Sequence, residues 1–123
     1  MPITYRIDRQ RGRVYTKCSG NVTLSEVRAH FDALQRDPDR PRNLSVLLDF
    51  TGMTTVPEGP QLQAAASHVG QVEEIVFEAC AILADREPVE SMARTFETLA
   101  RGHFAALKIF RKRRPAEEWL DSF

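Results

Sequence analysis

Two short and almost entirely apolar runs constrain the fold of this chain more than any other feature of its sequence. Leu44–Leu48 and Ala79–Ala84 are both of strand length, and each lies between segments whose apolar residues recur at helical spacing. Apolar strands of this kind are typical of parallel sheets covered on both faces, and strands that alternate with helices require right-handed βαβ crossovers. The sequence therefore predicts an α/β protein with a mostly parallel sheet.

The remaining segments complete the order β-β-α-β-α-β-α-β-α, with five strands flanked by helices and the first strand in an N-terminal hairpin. Thr23 and Glu26 form a capping box that begins the first helix, and Asp37-Pro38 ends it. Pro88 and Pro115 are each expected in the first turn of a later helix. The predicted segments are strand 3–8, strand 13–19, helix 24–36, strand 44–50, helix 62–76, strand 79–84, helix 89–100, strand 105–110 and helix 115–123.

The charge of the chain is neutral in total but segregated along the sequence. Lys and Arg number 17, as do Asp and Glu, which argues against a protein that coats nucleic acid or an anionic membrane. Residues 1–42 carry nine bases and five acids, residues 43–100 two bases and nine acids, and residues 101–123 six bases and three acids. We expect the acidic middle to contact the basic ends, within one chain or across a dimer.

Length and composition predict one domain, residues 1–123, in the cytoplasm. No apolar run approaches the roughly 18 residues that a membrane-spanning helix needs, and the first residues lack the apolar stretch of a secretory signal. Cys18 and Cys80 are therefore expected as reduced thiols. His30, His68 and His103 are too scattered for a metal site, and no cofactor is expected.

The end of the third predicted strand and the C-terminus carry a family resemblance. Val46–Met53, with its Asp49-Phe50-Thr51-Gly52 stretch, is similar to the corresponding strand of the STAS fold (sulfate transporter and anti-sigma-factor antagonist). Lys108–Phe110 followed by Ala116–Leu120 resembles the ending of the small bacterial SpoIIAA-like members. The resemblance implies a non-enzymatic regulatory or protein-interaction module. The module itself is expected to form a homodimer and to bind an unknown protein partner. Trp119 and Phe123, on the apolar stripe of the last helix, then cap the sheet or face a partner.

The loop after this strand departs from the family pattern. STAS regulators carry a phosphorylated serine there, whereas spacing from Asp49 places Glu58 at that position, between Pro57 and Pro60. A carboxylate cannot accept a phosphoryl group as a hydroxyl does, so the phosphoswitch is not carried over, and one carboxylate is a poor phosphate mimic. The candidate interaction loop consists of Asp49, Thr51, Gly52, Thr54, Thr55 and Glu58.

Other polar residues have both a functional and a structural interpretation. Asp49 and Asp85 follow two parallel strands and could hold a cation. Asp49 is also placed to tie its turn, and Asp85 to cap or approach the helix at Pro88. His30 is expected at the boundary of an apolar stripe and not as a catalytic base. A second candidate site is a basic loop of Arg111, Lys112, Arg113 and Arg114, which could grip phosphates or be a solvated loop.

Three functions follow from these observations. The first is the STAS-like interaction module. The second is a carrier of a small apolar ligand or lipid, because SpoIIAA-like proteins resemble CRAL-TRIO lipid-transfer domains and Ala64, Ala65, Ala66 and Gly70 make the second helix thin. The third is an enzyme that uses Asp49 and Asp85. The sequence shows no recognisable set of catalytic residues, which argues against this function. Nucleic-acid binding and membrane insertion are not expected.

Overall fold

The computed structural model describes residues 2–123, and Met1, the first residue of the predicted domain, lies outside the described residues. Within this range the chain has the predicted α/β architecture, and the element order agrees with the prediction. The elements are β1 (Ile3–Asp8), β2 (Arg13–Gly20), α1 (Leu24–Arg36), β3 (Asn43–Met53), α2 (Gly59–Gly70), β4 (Val76–Leu83), α3 (Val89–Ala100), a 3₁₀ turn (Arg101–His103), β5 (Ala106–Phe110) and α4 (Arg113–Asp121).

The five strands lie in sequence order, β1-β2-β3-β4-β5, and this order decides where the helices go. β1 and β2 form the predicted antiparallel hairpin, and every later pair is parallel. Because each crossover steps in the same direction, right-handed connections place α1, α2 and α3 on one face. The main core fills that side, with residues such as Leu34, Ile82 and Val89. Of the helices described in residues 2–123, α4 alone packs on the opposite face, where Leu120 and Leu47 belong to one apolar cluster.

The predicted start of α1 is confirmed in detail. Thr23 Oγ1 accepts a hydrogen bond from the Glu26 backbone N–H at 3.2 Å, and Glu26 Oε1 accepts one from the Thr23 N–H at 2.9 Å. This capping box satisfies two N–H groups that a helix start leaves without helical partners. The helix ends at Arg36, directly before Asp37 and Pro38, as predicted.

Strand β3 is longer than predicted, because Thr51, Gly52 and Met53 belong to it and not to a loop. Gly52 and Met53 continue the parallel pairing with Ser19 and Gly20 of β2. A Cβ on Gly52 would lie 2.8 Å from Ser19 Oγ and 3.3 Å from the Cys18 carbonyl oxygen. Glycine is required here because the neighbouring strand comes too close for a side chain.

Helices α2 and α4 begin earlier than predicted. Gly59 and Pro60 open α2, and α4 starts at Arg113, two residues before Pro115. Proline is tolerated anywhere in a first turn, so its position marks a helix start only to within about one turn. α4 ends at Asp121, so Phe123 lies beyond the helix and does not cap the sheet: the residue is 69% exposed and packs edge-on against Trp119.

Candidate functional site

An apolar cavity of about 110 Å³ lies between the sheet and the helices α1 and α2. Its floor is formed by residues of β2 and β3 that point to the helical face, such as Val14 and Leu48, and its roof by Val27 of α1 and Ala65 of α2. The short Ala65 side chain leaves space over the sheet. Phe31, Val46, Phe50, Leu62, Val69, Phe77, Met92, Phe96 and Phe104 also line the cavity.

The cavity opens at the carboxyl edge of the parallel strands. Thr23 and Gln61, which are exposed, and the half-buried Pro57 line it at that end, together with Met53 at the end of β3. Ligands of open α/β sheets bind outside this edge. The opening thus lies beside the segment that the sequence predicted as an interaction loop. None of the six residues predicted for that loop lines the cavity itself: Asp49, Thr51, Gly52, Thr54, Thr55 and Glu58.

The polar atoms inside the cavity are few and uncharged. No Asp, Glu, Lys or Arg is among the lining residues that the structure describes. Burial, reinforced by the nearby Asp49 carboxylate, raises the pKa of the Cys18 thiol to about 12, so it stays protonated. Burial also lowers the pKa of His30 to about 4, so its imidazole is neutral at pH 7. The cavity therefore excludes charged groups and accepts neutral ones.

One nitrogen of His30 has no hydrogen-bond partner among the described residues. Its Nδ1 is buried, while the ring packs against Tyr5 and Phe31 with centroids 5.4 and 5.0 Å away. His30 is half-buried and lines the cavity, which agrees with its predicted boundary position but goes beyond it. Because buried polar atoms in proteins are nearly always satisfied, the unpartnered Nδ1 is an exception in the wall of the cavity.

Gly70, which was expected to leave room for a ligand, has a different role. A Cβ on Gly70 would overlap the imidazole of His103, so the missing side chain makes room for that ring. Of the thin positions predicted in α2, only Ala65 lines the cavity, and Ala66 is buried against the core.

Asp49 binds Thr51, as its structural interpretation predicted, but both residues lie within strand β3 and not in a turn. Its side chain is buried, and Oδ1 accepts hydrogen bonds from the Thr51 N–H at 2.8 Å and the Thr51 hydroxyl at 2.6 Å. Oδ2 faces the Arg113 guanidinium at 3.6 Å. Arg86, which the sequence did not single out, donates to the carbonyl oxygens of Thr51 and Met53 and so fixes the end of β3.

The rest of the predicted loop is held by hydrogen bonds of its own. The Thr54 N–H donates to the Gly20 carbonyl at 3.0 Å, and the Thr55 hydroxyl donates to Asn21 Oδ1 at 2.8 Å. Glu58 lies at the start of α2, where its N–H donates to Gln61 Oε1 at 3.1 Å and its carbonyl accepts from the Leu62 N–H. The hydrogen bonds of Glu58 are those of a helix start, so they give it a structural role as the N-cap of α2.

Asp85 does not cap a helix, which corrects the expectation for it. The N-cap of α3 is Pro88, and Asp85 instead pairs with the adjacent Arg86 at 3.3 Å. Asp49 and Asp85 thus have separate cationic partners. In residues 2–123, no three His, Cys, Asp or Glu side chains come together as a metal site would need.

The predicted basic loop is divided between two elements. Arg111 and Lys112 precede α4, whereas Arg113 and Arg114 form its first turn. Arg111 pairs with Glu90 at 3.2 Å and Arg114 with Glu118 at 3.2 Å, so the four bases do not form a single phosphate-binding site.

The expected contacts between the acidic middle and the basic ends occur within one chain. The basic C-terminal segment reaches the acidic middle through the Arg111–Glu90 and Arg113–Asp49 pairs. On the N-terminal side, Arg40 lies 3.8 Å from Glu74. These pairs need no second copy of the chain.

No family model matches this chain, and no curated protein matches it. The helices that the structure describes within residues 2–123 include none with the length and apolar character needed to cross a membrane.

Proposed function

We propose that this chain is a STAS-like module that binds a small, neutral, largely apolar ligand in the cavity beneath α1 and α2. The observation that carries the proposal is the uncharged apolar lining of that cavity, which opens at the carboxyl edge of the sheet. The STAS-like part rests on the element order and on the Asp49–Thr51 contact near the end of β3, in the stretch that carries the resemblance found in the sequence.

The size of the cavity limits what the ligand can be. An engineered cavity of roughly 150 Å³ lined by aliphatic and aromatic residues binds benzene. At about 110 Å³, the present cavity accommodates a group of comparable or slightly smaller size. A longer chain, such as that of a lipid, would extend through the opening between Thr23 and Pro57.

His30 adds a preference within this class of ligand. Because its imidazole is neutral and Nδ1 has no partner among the described residues, a rotation of the ring would let it form a hydrogen bond with a hydroxyl or carbonyl group, but it offers no positive charge. We therefore expect an aromatic or aliphatic alcohol to bind more tightly than the corresponding hydrocarbon, and a carboxylate to bind poorly.

Titration with three matched compounds tests the proposal. Toluene and benzyl alcohol should raise the melting temperature with the logarithm of their concentration above Kd, since a ligand at 100 times its Kd stabilises by about 2.7 kcal/mol. Benzoate should not compete with toluene. Native mass spectrometry and an organic extract of the purified protein would identify a co-purified ligand. The proposal is abandoned if neither neutral compound binds and the extract is empty.

A protein partner at the exposed loop after β3 is the second candidate function, in line with the interaction module expected from the resemblance. It is favoured by Val56, an exposed hydrophobic residue close to Met53 and Pro57 at the cavity opening. Val56→Ser should abolish capture of that partner while leaving toluene binding unchanged. Sedimentation velocity tests the predicted homodimer. A monomer at all concentrations would contradict it.

A further inference from the structure

A second cavity, of about 200 Å³, lies on the opposite face of the sheet. It exists because α1, α2 and α3 all cover one face, whereas α4 packs mainly on β4 and β5. α4 reaches the first residues of β2 through side-chain contacts and leaves β1 and the rest of β2 uncovered. The side chains that define this polar pocket are Thr4, Arg6, Tyr15, Lys17, Asp49 and Arg113.

Strand register brings these side chains together. Thr4 pairs with Lys17, and Lys17 with Asp49, so the three form one row across β1, β2 and β3. Arg6 pairs with Tyr15 in the adjacent row. Residues that pair across a sheet share a face, so both rows point away from the apolar cavity. Arg113 reaches the same place from the first turn of α4.

The pocket has a surplus of positive charge. It contains three cations, Arg6, Lys17 and Arg113, and one carboxylate, Asp49. The Arg6 guanidinium lies 4.2 Å from the Tyr15 ring centroid, and that of Arg113 lies 5.9 Å from it. Asp49 faces Arg113 at 3.6 Å, and its other oxygen is occupied by Thr51. Over residues 2–123, the structure shows no ion pair for Arg6 or Lys17.

Neighbouring acids do not neutralise this surplus because other groups bind them. Asp121 accepts hydrogen bonds from Arg13 at 2.8 Å and from Arg11 at 3.0 Å. Glu117 accepts one from the Tyr15 hydroxyl at 2.7 Å and lies 3.5 Å from Arg13. The acids of α4 therefore hold the helix to β2, and the three cations of the pocket are left with one counter-charge.

We propose that the polar pocket binds a small phosphate monoester. A phosphate monoester carries about −1.5 to −2 charges at pH 7, which matches the surplus of two. Guanidinium groups bind phosphate oxygens with paired N–H donors, and the Lys17 ammonium and the Thr4 hydroxyl add further donors. The site is independent of the proposed apolar-ligand function, since the two cavities lie on opposite faces.

Calorimetric titration with phenyl phosphate at fixed ionic strength tests the site. Saturable binding is expected, and Arg6→Gln, Lys17→Gln and Arg113→Gln should each weaken it about tenfold, the equivalent of one lost charge-assisted contact. Arg28→Gln is the matched control, because Arg28 lies on α1 across the sheet from the pocket. It should leave the affinity unchanged.

Two further measurements keep the test decisive. Arg113→Lys retains the charge and should preserve most of the binding even if Arg113→Gln perturbs α4. Phenol, which shares the ring but lacks the phosphate, should not compete. The proposal is overturned if phenyl phosphate shows no saturable binding at millimolar concentration, if Arg28→Gln weakens binding as much as the pocket variants do, or if phenol displaces the phosphate.

Discussion

Filling the apolar cavity from α2 should stabilise the protein and block its ligand at the same time. Ala65 is the one residue of the predicted thin stretch of α2 that lines the cavity, and leucine nearly equals alanine in helix propensity. Ala65→Leu adds three carbon atoms to the side chain. At about 0.8 kcal/mol for each buried methylene group, full burial would contribute roughly 2 kcal/mol.

The cavity volume gives an independent ceiling of similar size. Cavities in protein cores cost about 24 cal/mol per Å³, so a cavity of about 110 Å³ corresponds to roughly 2–3 kcal/mol. We expect Ala65→Leu to raise the free energy of unfolding by about 1–2 kcal/mol, because the new side chain fills part of the space. For a chain of this length the gain corresponds to a melting temperature higher by about 4–8 °C.

Urea unfolding followed by circular dichroism measures the stability, and toluene titration measures the loss of binding. Ala64→Leu is the matched control, since Ala64 precedes Ala65 in the same helix but does not line the cavity. It should change the stability little and leave toluene affinity intact. A loss of more than about 1 kcal/mol in Ala65→Leu, which is typical of overpacking, would refute the cavity argument. So would unchanged toluene binding.

Three other perturbations test separate parts of the structure. Gly52→Ala should lower the stability by about 1–3 kcal/mol in urea unfolding, because its Cβ meets Ser19 Oγ at 2.8 Å; a neutral result would contradict that close approach. His30→Gln should flatten the acid side of the stability curve. The pKa of His30 falls from 6.5 in the unfolded chain to about 4 in the folded protein, so its neutral form stabilises above pH 6.5 and about 3 kcal/mol is lost as the pH falls towards 4. Equal slopes for the two proteins between pH 4 and 7 would refute this. Arg13→Met should lower the free energy of unfolding by about 1–3 kcal/mol and increase hydrogen exchange in α4, because the buried Arg13 binds Asp121 at 2.8 Å. Hydrogen exchange that is no faster in α4 than elsewhere would show that other contacts anchor the helix.

Local signals predicted the elements and some of their ends, but not all of them. The Thr23–Glu26 capping box acts between residues three apart, so it could be recognised without knowing the fold. The end of β3 could not, because Thr51–Met53 become strand only through pairing with β2. Pro115 marked the first turn of α4 without specifying which residue begins the helix, whereas Pro60, which the sequence assigned to a loop, lies in the first turn of α2.

The two proposed sites were predicted to different degrees. The sequence pointed to the apolar cavity through the short side chains of α2, and Ala65 lines it. His30 was placed at the right boundary, but nothing in the sequence showed that its Nδ1 would lie buried without a partner. The polar pocket was not predicted, because Lys17 and Arg113 are 96 positions apart in the chain and the sequence assigned Arg113 to a loop.

The sequence by itself determined the α/β class, the order of the elements and the inward-facing residues, because these follow from the periodicity of apolar residues within short segments. Only the tertiary structure decided that the strands lie in the order β1 to β5. That order places three helices on one face and leaves half of the other face open, which creates both cavities. The physical reason is the handedness of parallel crossovers. Because crossovers are right-handed, the side of the sheet on which the next strand is added determines which face the helix covers, and no local signal encodes that side.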